Sequence, residues 1–241
     1  MNLFQSLVLS VVQGITEFLP ISSTGHINLL QQYFGFAPSL SFDIFLNTAS
    51  LIAVLFYFKN RINYFFSNLK YIIVGTIPAV VAGLFFKDQI ESLFSSTRTL
   101  PYEFLFTAFT LFLTKKFISR DAKLDYKKAL IIGLFQALAI VPAISRSGST
   151  IFAGLMLGLS PVEAFSFSFS LFIPASIGAL VLDIKDLSTI GVFTSTNIIS
   201  FIVTAVVSYV ALSFLQKVLV NRHLWKFGYY CLFLGIFLLL V

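Results

Sequence analysis

Apolar runs take up most of this chain, at about 1–19, 27–35, 41–58, 71–86, 101–114, 129–144, 151–159, 161–182, 196–216 and 226–241. Of its 241 residues, 58% are hydrophobic and 11% are charged, where a soluble domain carries roughly 25% charged residues. A water-soluble fold of this size cannot hide that much apolar surface, so the solvent of the folded chain is lipid. In lipid every backbone polar group must find a partner inside the protein, which restricts spanning segments to helices or closed barrels. Runs of this length read as helices. Spanning needs about 20 residues, with about 17 as the lower limit. The segments at 41–58, 71–86, 101–114, 161–182, 196–216 and 226–241 approach or reach that length with their flanks.

Two polar motifs break the remaining runs. The first is Gln13-Gly14-Ile15-Thr16-Glu17-Phe18-Leu19-Pro20-Ile21-Ser22-Ser23-Thr24-Gly25-His26. The second is Pro142-Ala143-Ile144-Ser145-Arg146-Ser147-Gly148-Ser149-Thr150. Each stands between an apolar run and a shorter one, the pattern of a re-entrant helix-loop-helix. Such broken backbone is tolerated at membrane depth only where protein or a wet cavity shields it. Glu17, His26 and Arg146 read as the ionisable groups set in apolar sequence on both sides. A charge at mid-membrane costs about 2.5–3.5 kcal/mol or more and calls for a functional account.

The loops alternate in charge. Lys59, Arg61 and Lys70 give +3 over 59–70. Lys87 and Arg98 against Asp88, Glu91 and Glu103 give −1 over 87–103. Lys115, Lys116, Arg120, Lys123, Lys127 and Lys128 against Asp121 and Asp125 give +4 over 115–128. Lys185 against Asp183 and Asp186 gives −1 over 183–195, and Lys217, Arg222 and Lys226 give +3 over 217–226. Basic loops stay on the cytoplasmic side. The alternation therefore predicts six crossings, with 129–159 dipping in and returning, and both termini outside. The net charge of +6 follows from these loops and does not point to nucleic acid. One cysteine, Cys231, excludes an internal disulfide. The N-terminus lacks the basic region and small-x-small site of a signal peptide.

The expected fold is thus an all-α integral membrane protein of one domain, 1–241. It has six transmembrane helices, two re-entrant hairpins, and inverted repeats at approximately 1–118 and 124–241. Ser22–Gly25 echoes Ser145–Gly148, Ala79-Val80-Val81 echoes Ala205-Val206-Val207, and Gln13 and Gln136 precede their motifs at similar distances. Inverted repeats bring broken helices tip to tip near the midplane. That places Glu17, Ser22, Ser23 and His26 against Ser145, Arg146 and Thr150.

The chemistry of these residues points to an anion. Arg146 offers a permanently charged planar fork suited to phosphate or carboxylate. A lone structural bridge to Glu17 is the plainer alternative, but Ser145, Ser147, Ser149 and Thr150 supply more donors than a bridge needs. With Gly148 and a helix N-terminus they form an expected anion cradle. Gln13 and Glu17 are four apart and share a helix face. Glu17 is suited to activating water or a hydroxyl, or to holding a divalent cation against phosphate oxygens; the alternative is a carboxylate held only by Arg146. His26 is placed for proton transfer, or else for a helix–helix hydrogen bond. His223 lies in a basic loop and reads as solvated. Ser22 or Ser23 becomes a nucleophile if His26 or Glu17 takes its proton; Thr24 and Ser147 read as backbone support. The alternating Phe165-Ser166-Phe167-Ser168-Phe169-Ser170 run is read as packed helix rather than strand, and Asp43 and Glu163 as dipole partners at helix starts. Residue chemistry alone leaves hydrolysis and transport both open.

The two motifs closely resemble those of the undecaprenyl-diphosphate phosphatase (bacitracin-resistance) family. The likeness extends to Thr76-Ile77-Pro78-Ala79-Val80 and Ile173-Pro174-Ala175. The resemblance implies an enzyme of the plasma membrane that removes the terminal phosphate of a C55 polyprenyl diphosphate. It thereby recycles the lipid carrier for cell-wall building, with its site opening on the outer face. It also implies Glu17, Ser23, His26 and Arg146 as catalytic residues. Gln13, Ser22, Thr24, Gly25, Ser145, Ser147, Gly148 and Thr150 are then substrate-binding. A loosely held divalent cation, Mg2+ or Ca2+, is implied as well, with Glu17 as its ligand. The expected partners are the lipid substrate and membrane lipid, and a homodimer is compatible with the sequence. Gln13 stands where many members carry glutamate, and Ala143 where glycine is common. A polyprenyl-phosphate transporter or flippase is the second reading. A non-catalytic scaffold is the third, and it leaves Glu17 and Arg146 without a purpose.

Overall fold

The computed structural model describes residues 2–35, 40–86, 89, 92, 93, 97–117, 121–182 and 194–240. The charges at Lys87, Asp88, Glu91, Arg120, Asp183, Lys185 and Asp186, and the last residue Val241, lie outside that set. The described residues form eleven α-helices and no strand. They are α1 (Leu3–Thr16), α2 (Ser23–Tyr33), α3 (Leu40–Tyr57), α4 (Ile62–Ser67), α5 (Leu69–Phe85), α6 (Leu100–Leu113), α7 (Tyr126–Leu138), α8 (Arg146–Met156), α9 (Pro161–Leu182), α10 (Ser195–Val220) and α11 (Phe227–Leu240). Of these, α9 and α10 are long and apolar enough to cross a bilayer. The α3–α4 pair, bent by 57°, makes a third candidate if it is one span. Helices α1 and α5 and the stretch Leu224–Leu240 are apolar but shorter.

A helix–break–helix unit stands at each of the two motifs. Helices α1 and α2 are joined by the break at 17–22, and α7 and α8 by the break at 139–145. Each incoming helix is capped by its own sequence. Asn2 and Gln5 form a reciprocal capping box on α1, and the Asp125 carboxylate accepts the Lys128 N–H on α7. The first helix of each pair packs along a helix distant in sequence: α1 along α10, and α7 along α5. Close approach is allowed by glycine. A Cβ on Gly14 would sit 2.8 Å from Val207 Cβ, and one on Gly133 would collide with the Gly75 carbonyl. The α1–α10 seam is sealed by hydroxyls. Ser6 Oγ pairs with Ser200 Oγ at 2.6 Å, and Thr204 Oγ1 donates to the Ser10 carbonyl at 3.3 Å. Small and hydroxyl residues join helices where lipid supplies no hydrophobic drive.

Helix α9 is the centre of the core. Phe165, Phe167, Phe169 and Leu171 are fully buried, and Ser166, Ser168 and Ser170 are buried between them. The alternation that resembles a strand is therefore a helix enclosed on every side, which removes any need for a polar face. The basic loops meet at one end of the molecule. Tyr71 packs edge-on against Tyr126 at 5.0 Å, and Lys115 Nζ lies 4.6 Å over the Trp225 ring.

Candidate active site

The two hairpin tips touch. Ser22 Oγ donates to the Pro142 carbonyl at 2.6 Å, and Ser147 Oγ donates to the Phe18 carbonyl at 3.0 Å. Each tip thus satisfies a carbonyl that the other tip's break has exposed. Helices α2 and α8 begin at this contact, and Ser22 and Ser145 each cap one N–H of the first turn. The Gly25 N–H donates to Ser22 Oγ at 3.4 Å and the Gly148 N–H to Ser145 Oγ at 3.1 Å. Two helix N-termini at one point favour an anion. Gly25 is required there, because a Cβ would come within 2.7 Å of Phe104 Cζ and 3.0 Å of Ala143 Cβ. Ser22 itself holds φ of +68°, a left-handed conformation uncommon outside glycine. Such strain costs about 1–3 kcal/mol and gathers at functional sites.

The charged residues meet across 129 positions of sequence. Arg146 Nη2 donates to Glu17 Oε1 at 2.8 Å. The other carboxylate oxygen, Oε2, accepts Ser23 Oγ at 2.6 Å and Gln13 Nε2 at 3.1 Å. Both side chains are largely shielded, with 15% of Arg146 and 9% of Glu17 exposed. The guanidinium lies 4.2 Å over the Phe172 ring, on a floor that Phe18 shares through its contacts with Phe169 and Phe172. Its second terminal nitrogen, Nη1, is buried with no hydrogen-bond partner among the described residues. A buried charged donor left open costs more than a made bond returns. A phosphate oxygen has the charge and geometry to fill it.

Ser23 is therefore set against Glu17 rather than His26. The His26 ring uses both nitrogens elsewhere. Nδ1 lies 2.6 Å from the Ser22 carbonyl, which can only accept, so Nδ1 carries a proton. Nε2 lies 2.6 Å from the Tyr230 hydroxyl, with the two rings stacked at 5.6 Å, and Phe104 meets the imidazole edge-on at 5.5 Å. Tyr230 was not legible in the sequence, because a tyrosine in an apolar run has no signature of its own. Among the hydroxyls of the second tip, Ser147 is spent on Phe18, Ser145 caps α8, and Thr150 pairs with the Arg146 carbonyl at 2.8 Å and Ser168 Oγ at 2.7 Å. They aim the backbone rather than stand free. Glu103 departs from expectation. Counted in sequence as an outer-loop charge, it is a buried residue in the first turn of α6.

Among the described residues no three His, Cys, Asp or Glu side chains come together. The Glu17 oxygens already hold three donors, and Gln13 adds an amide where a second carboxylate would serve a cation. This donor set does not fit a resident divalent ion.

The profile of the family described as "Bacitracin resistance protein BacA" matches residues 6–237. The chain is 38% identical over 266 residues to "Undecaprenyl-diphosphatase" of Methanobrevibacter smithii, covering 98% of this chain and 96% of that protein. It is 40% identical over 253 residues to "Undecaprenyl-diphosphatase 3" of Bacillus cereus, covering 100% and 98%. To "Undecaprenyl-diphosphatase 2" of Bacillus thuringiensis it is 35% identical over 258 residues, covering 97% and 96%.

Proposed function

The chain belongs to the bacitracin resistance protein BacA family and is an undecaprenyl-diphosphatase, and on that premise we propose that its two hairpin tips work as one intramembrane phosphatase site. The observation that carries this reading is the Glu17 carboxylate, with Arg146 on one oxygen and Ser23 on the other. The open Nη1 of Arg146 and the N-termini of α2 and α8 take the oxygens of the terminal phosphate and the charge that develops on them. Ser23 Oγ attacks the terminal phosphorus and passes its proton to Glu17 Oε2. The bond from that phosphorus to the bridging oxygen breaks, and the polyprenyl monophosphate leaves. Glu17 yields that proton to the departing monophosphate, takes one from the water that attacks the phosphoserine, and returns it to Ser23 Oγ as the phosphoserine bond breaks. Inorganic phosphate is released and the Ser23 hydroxyl is restored. His26 acts at the leaving oxygen through the Tyr230 hydroxyl on its Nε2. A divalent cation, Mg2+ or Ca2+, enters bound to the diphosphate as part of the substrate, and no step runs through an ion held by the protein.

In the same reading the chain is one membrane domain of six spans and two re-entrant hairpins, with inverted repeats at approximately 1–118 and 124–241. The pairing of helices supports it: α1 rests on α10 as α7 rests on α5, and α6 pairs with α11. The shared end of the basic loops is the cytoplasmic end, so both termini and the opening of the site are extracytoplasmic.

The test is phosphate release from farnesyl diphosphate by purified protein in detergent. Release is expected to stop with a chelator and return with added Mg2+ or Ca2+. It is expected to be lost in Glu17→Ala and in Arg146→Ala while both still elute as monodisperse species. Wild-type release from both variants removes the assignment.

A further inference from the structure

A break in a helix at membrane depth leaves backbone groups that water cannot satisfy, so each must be accounted for. Over 139–145 most are met locally. The N–H groups of Ile140, Val141 and Ile144 donate to the carbonyls of Ala137, Leu138 and Val141 at 3.2, 3.3 and 3.1 Å. Two N–H groups in this segment have only side-chain acceptors, and both acceptors come from α6. The Ala143 N–H donates to Glu103 Oε2 at 2.7 Å, and the Ser145 N–H donates to Thr107 Oγ1 at 3.2 Å. The Thr107 hydroxyl returns its own proton to the Ala143 carbonyl at 3.0 Å. Glu103 and Thr107 are one helical turn apart, so both reach the same loop from one face of α6. Phe104, on the same turn, fills the space under Gly25 and meets His26. Glu103 is 7% exposed in a setting where an ionisable group is costly.

We propose that Glu103 and Thr107 are positioning residues for the phosphate-binding loop: by clamping Ala143 and Ser145, they set the direction in which Arg146 and the N-terminus of α8 meet the substrate. Arg146 directly follows the clamped Ser145, so a shift at 143–145 moves the guanidinium relative to Glu17. This inference rests on the phosphatase reading of the site and adds to it a role for α6.

The requirement on Glu103 is an acceptor oxygen at the Ala143 N–H. Glu103→Gln keeps an acceptor, and Glu103→Ala removes it. Thr107→Ser keeps the hydroxyl, and Thr107→Val removes it at similar volume. Phosphate release from farnesyl diphosphate is measured for all four, beside wild type and Arg146→Ala. The alanine and valine variants are expected to lose about 100-fold in kcat, the scale of a displacement near 1 Å at a reacting group. The glutamine and serine variants are expected to keep most of the rate. Should Glu103→Ala fail to purify as a monodisperse species, the threonine pair makes the same comparison. Full activity in Glu103→Ala or Thr107→Val, with Arg146→Ala inactive, overturns the clamp and leaves the site standing. A Glu103→Gln variant as slow as Glu103→Ala also overturns it, because charge would then be the requirement. Activity in Arg146→Ala overturns the underlying site itself.

Discussion

Arg146→Lys separates a geometric role for the guanidinium from a purely electrostatic one. In the native site, Nη2 is held by Glu17 at 2.8 Å, Nη1 is buried and open, and the plane lies 4.2 Å over Phe172. Lysine keeps the charge and can satisfy Glu17, so the fold keeps its buried ion pair. It cannot also present a second, fixed donor to a phosphate oxygen, since an ammonium is a point charge without the planar fork. One hydrogen bond to a charged group is worth about 1.5–3 kcal/mol. At about 1.36 kcal/mol per tenfold in rate, losing it from the transition state lowers kcat/KM about 10- to 150-fold. The assay is phosphate release from farnesyl diphosphate, with thermal stability measured in the same detergent. Arg146→Lys is expected to melt near wild type and turn over within that range of loss. A lysine variant that works at the wild-type rate would refute the argument from the open Nη1, and Arg146 would then count only as a charge.

Gly25→Ala places a methyl group 2.7 Å from Phe104 Cζ and 3.0 Å from Ala143 Cβ. Overpacking of that kind costs about 1–3 kcal/mol, and a lowered melting temperature together with reduced turnover is expected; an unchanged melting temperature would show that the tips do not meet this tightly. Tyr230→Phe removes the hydroxyl 2.6 Å from His26 Nε2 while keeping the stacked ring. A neutral hydrogen bond of about 0.5–1.5 kcal/mol corresponds to a rate loss of about 2- to 13-fold, read by turnover of a protein that elutes as wild type does; no loss at all would remove Tyr230 from the working site. A topology reporter fused after Val241 is expected to read as extracytoplasmic, and a clear cytoplasmic signal would rule out the six-span arrangement.

Sequence alone carried the reading a long way, for a definite reason. In lipid, breaks in apolar runs and charges within them are costly. The positions where this chain accepts such costs, Glu17 to His26 and Pro142 to Thr150, therefore stood out before any coordinates. The pairing of Glu17 with Arg146 could be anticipated because few buried partners exist for either charge. The helical state of 165–170 also followed, against its strand-like alternation.

Tertiary structure decided which hydroxyl meets which acceptor. Ser23 rather than His26 is the neighbour of Glu17, and His26 turns instead to the Ser22 carbonyl and Tyr230. Ser145, Ser147 and Thr150 look alike in a linear motif, yet Ser147 alone of the three bonds the first tip, while Ser145 caps α8 and Thr150 bonds the Arg146 carbonyl and Ser168. Glu103 looked like a loop charge because it lies next to polar sequence, and only packing against the second tip shows a buried carboxylate on Ala143. The physical reason is one of range. Transfer into lipid is a property of each segment and is written locally along the chain. A hydrogen bond between tips is set to within a few tenths of an ångström by helices far apart in sequence, so its partners exist only once those helices have packed.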